Sequence, residues 1–181
     1  MTVTGLTAAP VLETQRLRLR GRTLDDFSFI NAMWADPEVT RYIGGKPRSE
    51  EDNWTKFLRM MGHWPAMGFG YWIVEEKDTG ALLGEAGFGE FKRDMKPSIK
   101  GEPELGYAFA ACAHGKGYGS ETIAAVVAWG DEHLDGVRMS CIIDLENLAS
   151  IRVAEKCGFV KTGRAIYHGD EILLLHRASG S

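Results

Sequence analysis

The sequence is poor in cysteine, in long apolar runs and in net charge. It has three cysteines, at positions 112, 141 and 157, without a CxxC pair, so neither a disulfide framework nor a metal site is predicted. No uncharged apolar run approaches the roughly 20 residues of a membrane helix. The formal charge of −4 speaks against a general nucleic-acid binder and slightly favours cationic partners such as amines. We therefore expect a cytoplasmic protein with free thiols, no metal and neither membrane nor nucleic acid as a partner.

The rest of the composition is that of an ordinary globular protein. Hydrophobic residues make up 44% and charged residues 25% of the 181 positions. A chain of this length can form one domain with a substantial hydrophobic core. The expected organisation is a flexible N-terminus over residues 1–11, a folded domain over 12–177 and a disordered tail over 178–181. Residues 1–12 lack the basic start and the long apolar stretch of a signal peptide.

Periodicity and turn residues predict a mixed α/β protein with the order β-α-α-β-β-β-α-β-α-β-β. Antiparallel hairpins are expected in the first half and a β-α-β unit in the second. The charged segment 92–103 is interpreted as an exposed loop. The predicted strands are 17–20, 71–76, 81–91, 104–111, 138–144, 159–167 and 171–177, and the predicted helices are 23–34, 49–61, 117–134 and 147–157.

A glycine cluster between a predicted strand and a predicted helix is the most informative stretch. Residues 113–120 read Ala-His-Gly-Lys-Gly-Tyr-Gly-Ser. A helix start leaves backbone N–H groups without partners and attracts phosphate, and glycine lets a diphosphate approach the main chain. The spacing fits neither the Walker A pattern nor the Rossmann GxGxxG pattern. On the cluster alone, a glycine-rich turn without a ligand remains an alternative.

Two blocks of sequence resemble the GNAT superfamily of N-acetyltransferases. Residues 104–109 together with 115–121 are similar to its acetyl-CoA motif, commonly written R/Q-x-x-G-x-G/A. Residues 144–159 resemble its Asn-x-x-Ser…Glu-Lys-x-Gly-Phe block, especially in the RimJ/RimL-like branch, which includes ribosomal-protein N-terminal acetyltransferases. The opening residues 12–20 are also similar to that branch.

The resemblance covers roughly residues 12–177 and has one departure in the acetyl-CoA motif. His114 stands where the family has Arg or Gln. His114 could contact a phosphate directly or be an exposed loop residue. Binding of the cofactor is expected to be altered rather than lost, since backbone amides supply most of the contacts with the phosphates.

The resemblance implies a GNAT-like single domain with a central, twisted, mostly antiparallel sheet. Its strands carrying Phe109 and Ile142 would splay apart and hold the pantetheine arm of acetyl-CoA. Amides of residues 115–120 would bind the diphosphate. The implied cofactor-binding residues are Phe109, Ala110, Ala111, His114, Gly115, Lys116, Gly117, Tyr118, Gly119, Ser120, Asn147 and Ser150.

Acetyl transfer requires a base, because a lysine-like amine has a pKa of about 10.4 and attacks only when neutral. Glu104 is the first candidate, since it opens the cofactor-binding strand and an acid occurs there in the resembling branch. Glu85 is second, because it shares a strand face with Gly87 and Gly89 and that bare face could leave room for substrate. Asp144 is third. A salt bridge at the rim is the alternative for Glu104.

The general acid is less well defined by the sequence. Many relatives carry a Tyr four residues before the Gly-Phe pair, where this chain has Ala154. Ser150 is a substitute, Tyr107 and Tyr167 are unranked alternatives, and release of the thiolate to water needs no acid.

Substrate recognition is expected from the segment between positions 34 and 72, although most of its aromatic side chains are expected to be core. These aromatic residues are Trp34, Tyr42, Trp54, Trp64, Phe69, Tyr71 and Trp72.

The resemblance implies an enzyme that transfers acetyl from acetyl-CoA by direct attack in a ternary complex. A monomer or homodimer is expected. The acceptor would be a primary amine of a protein N-terminus or of a small molecule. A non-catalytic module that binds or senses acyl-CoA is the alternative, and a nucleotide-binding protein is a third possibility.

Overall fold

The computed structural model describes residues 5–134 and 136–178, so residues 1–4 and 179–181 of the predicted termini lie outside it. The described chain forms one mixed sheet of eight strands with five α-helices, which confirms the predicted fold class. The strands are β1 (Leu12–Glu13), β2 (Leu17–Arg20), β3 (Tyr71–Glu76), β4 (Leu82–Gly89), β5 (Glu104–Phe109), β6 (Met139–Asp144), β7 (Val160–Tyr167) and β8 (Asp170–Arg177). The helices are α1 (Phe27–Trp34), α2 (Pro37–Thr40), α3 (Glu50–Met67), α4 (Tyr118–His133) and α5 (Leu148–Lys156).

Every element predicted from the sequence is present, and the structure adds short ones. The added elements are too short to leave a periodic pattern in the sequence. They are the two-residue β1, the four-residue α2 and the 3₁₀ turns at Leu24–Asp26 and Ala111–Ala113. Helix α3 runs six residues beyond its predicted end at position 61, through Pro65 to a left-handed Gly68 with φ 75°. Burial of Trp64 against other aromatic rings in the core favours the longer helix.

The strand order across the sheet is β1-β2-β3-β4-β5-β6-β8-β7, and every neighbouring pair is antiparallel except β5 and β6. Strands β4 and β5 pair over six positions, from Gly84–Phe109 to Gly89–Glu104. Strands β5 and β6 pair at a single position, Glu104 with Ser140. The two strands therefore part immediately after their first residues, as the predicted splayed pair requires.

Helices cover both faces of the sheet. On β3 the neighbouring Trp72 and Ile73 point to opposite faces, because side chains alternate along a strand. Trp72 packs edge-on against Trp64 and Trp129, at centroid distances of 4.8 and 5.2 Å, in the cluster that includes α4. Ile73 joins the cluster formed by α1 and α3.

The segment 92–103 is more anchored than predicted. Met95 and Ile99 are buried and pack against Ala165 and Leu174 of β7 and β8, so the expectation of an exposed loop is wrong for these two side chains. No helix within the described residues has both the length and the hydropathy needed to span a membrane.

Candidate active site

A cleft between β5 and β6 forms the centre of the site. Beyond the pair Glu104–Ser140 the two strands share no ladder, and the cleft opens into a cavity of about 860 Å³. The Tyr107 hydroxyl crosses from β5 to α5 and donates a hydrogen bond to the Ser150 carbonyl at 2.9 Å. The main chain of β5 therefore has an edge without a strand partner inside the sheet, where an extended ligand could pair with it.

The glycine loop (residues 114–117) leads from this cleft into α4. Gly115 and Gly117 have φ values of 72° and 79°, a region that side-chain-bearing residues rarely adopt. Within the described chain, no backbone N–H of residues 115–120 donates a hydrogen bond. A Cβ at Gly115 would meet no atom within 4 Å, and at Gly117 only Arg16 Nη2 at 3.4 Å. Six free amides at the start of a 16-residue helix can bind a diphosphate, the group that acetyl-CoA, the cofactor of the resembling family, would place there.

The opening residues of the domain hold this loop in place, a role that the sequence analysis missed. Arg16 donates from Nη1 to the Lys116 carbonyl at 3.1 Å and from Nε to Glu121 at 2.8 Å. The Thr14 hydroxyl donates to the same carboxylate at 2.5 Å. The signal was present, because Thr14 and Arg16 belong to the opening block of the resemblance and Glu121 closes the glycine block.

Two predicted cofactor residues use their side chains elsewhere. The Tyr118 ring is buried and its hydroxyl donates to Glu76 on β3, which leaves its backbone N–H for a ligand. His114 Nε2 lies 3.0 Å from the Phe109 carbonyl. Because a carbonyl only accepts hydrogen bonds, Nε2 carries the proton in this contact.

Glu104 lies where the strands part, at the closed end of the cleft. Its buried carboxylate accepts two hydrogen bonds from Arg93, at 2.5 and 2.6 Å, and Arg93 also donates to the Tyr167 hydroxyl at 2.8 Å. Burial raises the pKa of Glu104, and the Arg93 guanidinium opposes that rise. The side chain is therefore both a salt-bridge partner and a carboxylate that lines the cavity.

Glu85 lines the same cavity from β4 and is also paired. Its buried carboxylate accepts hydrogen bonds from Arg22 and, at 2.9 Å, from Trp34 Nε1. The expectation that Gly87 and Gly89 leave room for a substrate is wrong. The main chain at residues 70–71 stands against Gly87, and the Phe91 ring stands against Gly89.

The start of α5 contributes the remaining predicted residues. The Asn147 side chain accepts a hydrogen bond from Ser150 N at 3.1 Å and so caps the helix. Asn147, Ser150 and Asp144 all line the cavity. Ala154, at the position of the family's Tyr, is fully buried and lies outside that lining.

Most aromatic residues of segment 34–72 belong to the core, as expected. Trp34, Trp64, Phe69, Tyr71 and Trp72 are buried, whereas Trp54 is 41% exposed. Tyr42 lines the cavity, together with the edges of Trp34 and Tyr71.

The structure thus brings Glu104, Glu85, Asn147 and Ser150 into one cavity. The glycine loop follows the far end of β5 and is not part of the cavity lining. This separation suits an elongated ligand, with its anionic end on the loop and its other end between the strands.

Comparisons with known proteins agree with this geometry. The family model described as acetyltransferase (GNAT) domain matches residues 16–160. The uncharacterised N-acetyltransferase YoaA of Bacillus subtilis (strain 168) is 31% identical over 155 residues, which cover 85% of each chain. An acetyltransferase of Agrobacterium tumefaciens C58 superposes with a TM-score of 0.80 at 26% identity, covering 93% of this chain and 94% of that one.

A more distant structure shares the fold. It is RimL, the ribosomal L7/L12 alpha-N-protein acetyltransferase in complex with coenzyme A, with a TM-score of 0.75 at 14% identity, covering 93% of this chain and 98% of that one. The match of the family model over residues 16–160, together with the splayed strands and the glycine loop, shows that the chain belongs to the GNAT family and is an acetyl-CoA-dependent N-acetyltransferase.

Proposed function

We propose that this enzyme transfers acetyl directly to a primary amine, of a small molecule or a protein N-terminus, and that it belongs to the RimJ/RimL-like branch. The observation that carries the proposal is the cleft between β5 and β6, which opens into a cavity lined by ionisable side chains, while the glycine loop follows the far end of β5. The opening block at residues 12–20 and the block at 144–159 support the branch. When bound, acetyl-CoA supplies the acetyl carbon to which the amine nitrogen bonds as the carbon–sulfur bond breaks.

Main-chain groups do most of the cofactor binding in this proposal. The amides of residues 115–120 bind the diphosphate, and Lys116 adds charge beside them. The strand end from Phe109 to Ala111 pairs with the pantetheine arm, and the Ala111 N–H has no partner within the described chain. Asn147 and Ser150 contact the same arm from the start of α5. His114 lies beside Phe109 and contributes to cofactor binding at that end of the strand.

Glu104 is the proposed base. It lies at the point where the strands part, so an amine that reaches the closed end of the cleft can deliver its proton to this carboxylate, directly or through water. A pKa raised by burial brings a carboxylate closer to the operating pH, which favours proton transfer. Arg93 fixes its orientation. Glu85, which accepts hydrogen bonds from Arg22 and Trp34, is the second candidate.

Ser150 is the proposed acid, because its side chain lies on the cavity side of α5. The Tyr107 hydroxyl already donates to the Ser150 carbonyl, and burial raises the pKa of that phenol, so it is a weaker donor for a departing thiolate. The properties of two cysteines favour direct attack by the amine over an acetyl-enzyme intermediate. Burial raises the pKa of Cys141, which makes it a poor nucleophile, and exposed Cys112 does not line the cavity.

Steady-state kinetics with Glu104→Gln test the proposal. We expect intersecting initial-velocity lines for acetyl-CoA and amine, and a kcat lowered by about 10² or more, the usual contribution of a general base. The deficit should shrink as the pH rises towards the pKa of the amine. Glu171→Gln, which removes a surface carboxylate paired with Arg164, is the matched control. Parallel lines together with an acetylated enzyme would refute direct transfer, and a wild-type pH profile would exclude Glu104 as the base.

A further inference from the structure

The wall of the cavity opposite the sheet carries a cluster of positive charges, formed by Arg48, Lys56 and Arg59. Lys56 and Arg59 are three residues apart on α3 and therefore share a face of the helix. Arg48 stands before the helix and is held twice by Trp34. Its backbone N donates to the Trp34 carbonyl at 3.1 Å, and its guanidinium carbon lies 3.6 Å from the ring centroid. All three side chains line the cavity.

These three cations have no carboxylate partner within the described residues, unlike the other arginines of the cavity. Arg22 pairs with Glu85, and Arg93 pairs with Glu104. Burial, together with the charges of Arg48 and Arg59, lowers the pKa of Lys56 to about 8. Three cations that face one space and form no ion pair create a positive local potential, although the whole chain carries a charge of −4.

Two unpaired carboxylates of the cavity lining come from the strands. Asp144, at the end of β6, and Asp170, at the start of β8, line it and form no ion pair within the described residues. Two carboxylates of the lining act on the cations without forming an ion pair with them. Asp52 accepts a hydrogen bond from the Ser49 hydroxyl at 2.8 Å, and Glu85 is paired with Arg22. The unpaired carboxylates Asp144 and Asp170 thus come from the strands beside the cleft, whereas the three cations come from α3 and the segment before it.

We propose that the acceptor is a small primary amine that also carries an anionic group, a carboxylate or a phosphate, which binds to Arg48, Lys56 and Arg59. This inference rests on the proposed function and names the substrate class of the same site. The amine faces the cleft and Asp144, while the anion faces α3. Arginine and lysine are the usual partners of both anions. A polyamine would place a second cation against this wall, where like charges repel it.

Binding of product analogues tests the inference independently of turnover. The probes are 4-acetamidobutanoate and its isosteric amide, 4-acetamidobutanamide, each titrated into the full-length enzyme with coenzyme A present. We expect the carboxylate to bind at least about tenfold more tightly, the low end for a hydrogen bond to a charged group. A second pair, the N-acetyl derivatives of 2-aminoethyl phosphate and of ethanolamine, distinguishes phosphate from carboxylate. Equal affinities within both pairs, or tighter binding of N-acetylspermidine, would overturn the inference.

Variants of the cluster locate the effect. In Lys56→Gln and Arg59→Gln the preference for the anionic probe should fall by about tenfold, while the neutral amide keeps its affinity. Lys161→Gln, which removes a half-exposed lysine outside the cavity, should keep the full preference. A preference that survives both cluster substitutions would refute the assignment. If anionic probes bind selectively and no amine is acetylated, the proposed function fails and the assignment of an acceptor fails with it, and only the anion-binding role of the cluster stands. If amines are acetylated without regard to their charge, the proposed function stands and this inference fails.

Discussion

Replacing Gly117 with valine tests whether the glycine loop binds the diphosphate of acetyl-CoA. Gly117 precedes α4 with φ 79°, and a side chain in this left-handed region costs roughly 1–2 kcal/mol. Its Cβ would lie 3.4 Å from Arg16 Nη2, a contact that the exposed arginine can relieve. The branches of valine would occupy space in front of the free amides. We therefore expect a dissociation constant for coenzyme A raised at least about tenfold, equivalent to 1.4 kcal/mol.

Gly80→Val is the matched control for backbone strain. Gly80 lies in the turn between β3 and β4 with φ 71°, and its Cβ would meet no atom within 4 Å. Both variants should therefore lose a similar amount of stability, with Tm lowered by about 2–8 °C for 1–2 kcal/mol in a chain of this size. Calorimetric titration of coenzyme A into each folded variant measures the affinity, and thermal unfolding without ligand measures the strain.

The comparison separates loss of binding from loss of stability. If strain alone weakened the protein, both variants would show the same Tm shift and the same unchanged affinity. If Gly117→Val binds coenzyme A as tightly as Gly80→Val does, the diphosphate does not lie on these amides. The loop assignment would then be wrong, whatever the activity of the enzyme.

Two further predictions concern Arg16, which holds the glycine loop, and the ion pair between Arg20 and Asp26. Arg16→Met removes the bonds to Lys116 and Glu121 and should raise the dissociation constant of coenzyme A several-fold, whereas Arg18→Met, which removes only a surface pair with Glu13, should not. Titration of both variants checks this, and equal affinities would contradict a positioning role. Burial opposes the ionisation of Asp26, but the bonds from Arg20 lower its pKa below 3.8. The stability that this pair contributes is therefore present above about pH 4 and is lost as the pH falls through the folded-state pKa. Asp26→Asn should therefore cost about 2–3 kcal/mol at pH 7 and flatten the acid limb of a denaturation series, and an unchanged pH dependence would refute this assignment.

The order of the elements could be predicted because local patterns determine it. Strand β2 reads Leu-Arg-Leu-Arg, with both leucines buried and both arginines at least partly exposed. Helix α5 begins at an Asn cap and ends beside Gly158, which has φ 84°. Such signals are contained within a few residues, so a single sequence reveals them. The length of α3 could not be read in the same way, because contacts with distant aromatic residues favour its last turns.

The glycine loop and the carboxylates were identifiable as residue types, but their partners were not. Glu104 and Arg93 are eleven positions apart, and Glu85 and Arg22 are 63 apart. Pairing over such distances depends on which strand lies beside which, and no local pattern contains that information. The cation cluster was missed for the same reason, since Arg48 belongs to a loop and acquires its position from Trp34.

The cleft itself illustrates why function is harder to predict than fold. The residues of β5 read as an ordinary strand, and its pairing with β4 is regular over all six positions. What distinguishes it is a missing neighbour on its other side, and Tyr107 spans that gap by its bond to the Ser150 carbonyl. An unpaired strand edge within a sheet leaves amides and carbonyls without protein partners, which costs stability unless water or a ligand satisfies them. The pantetheine arm, in the position proposed above, would satisfy these groups, so the element that is regular in sequence is the one assigned to the proposed site.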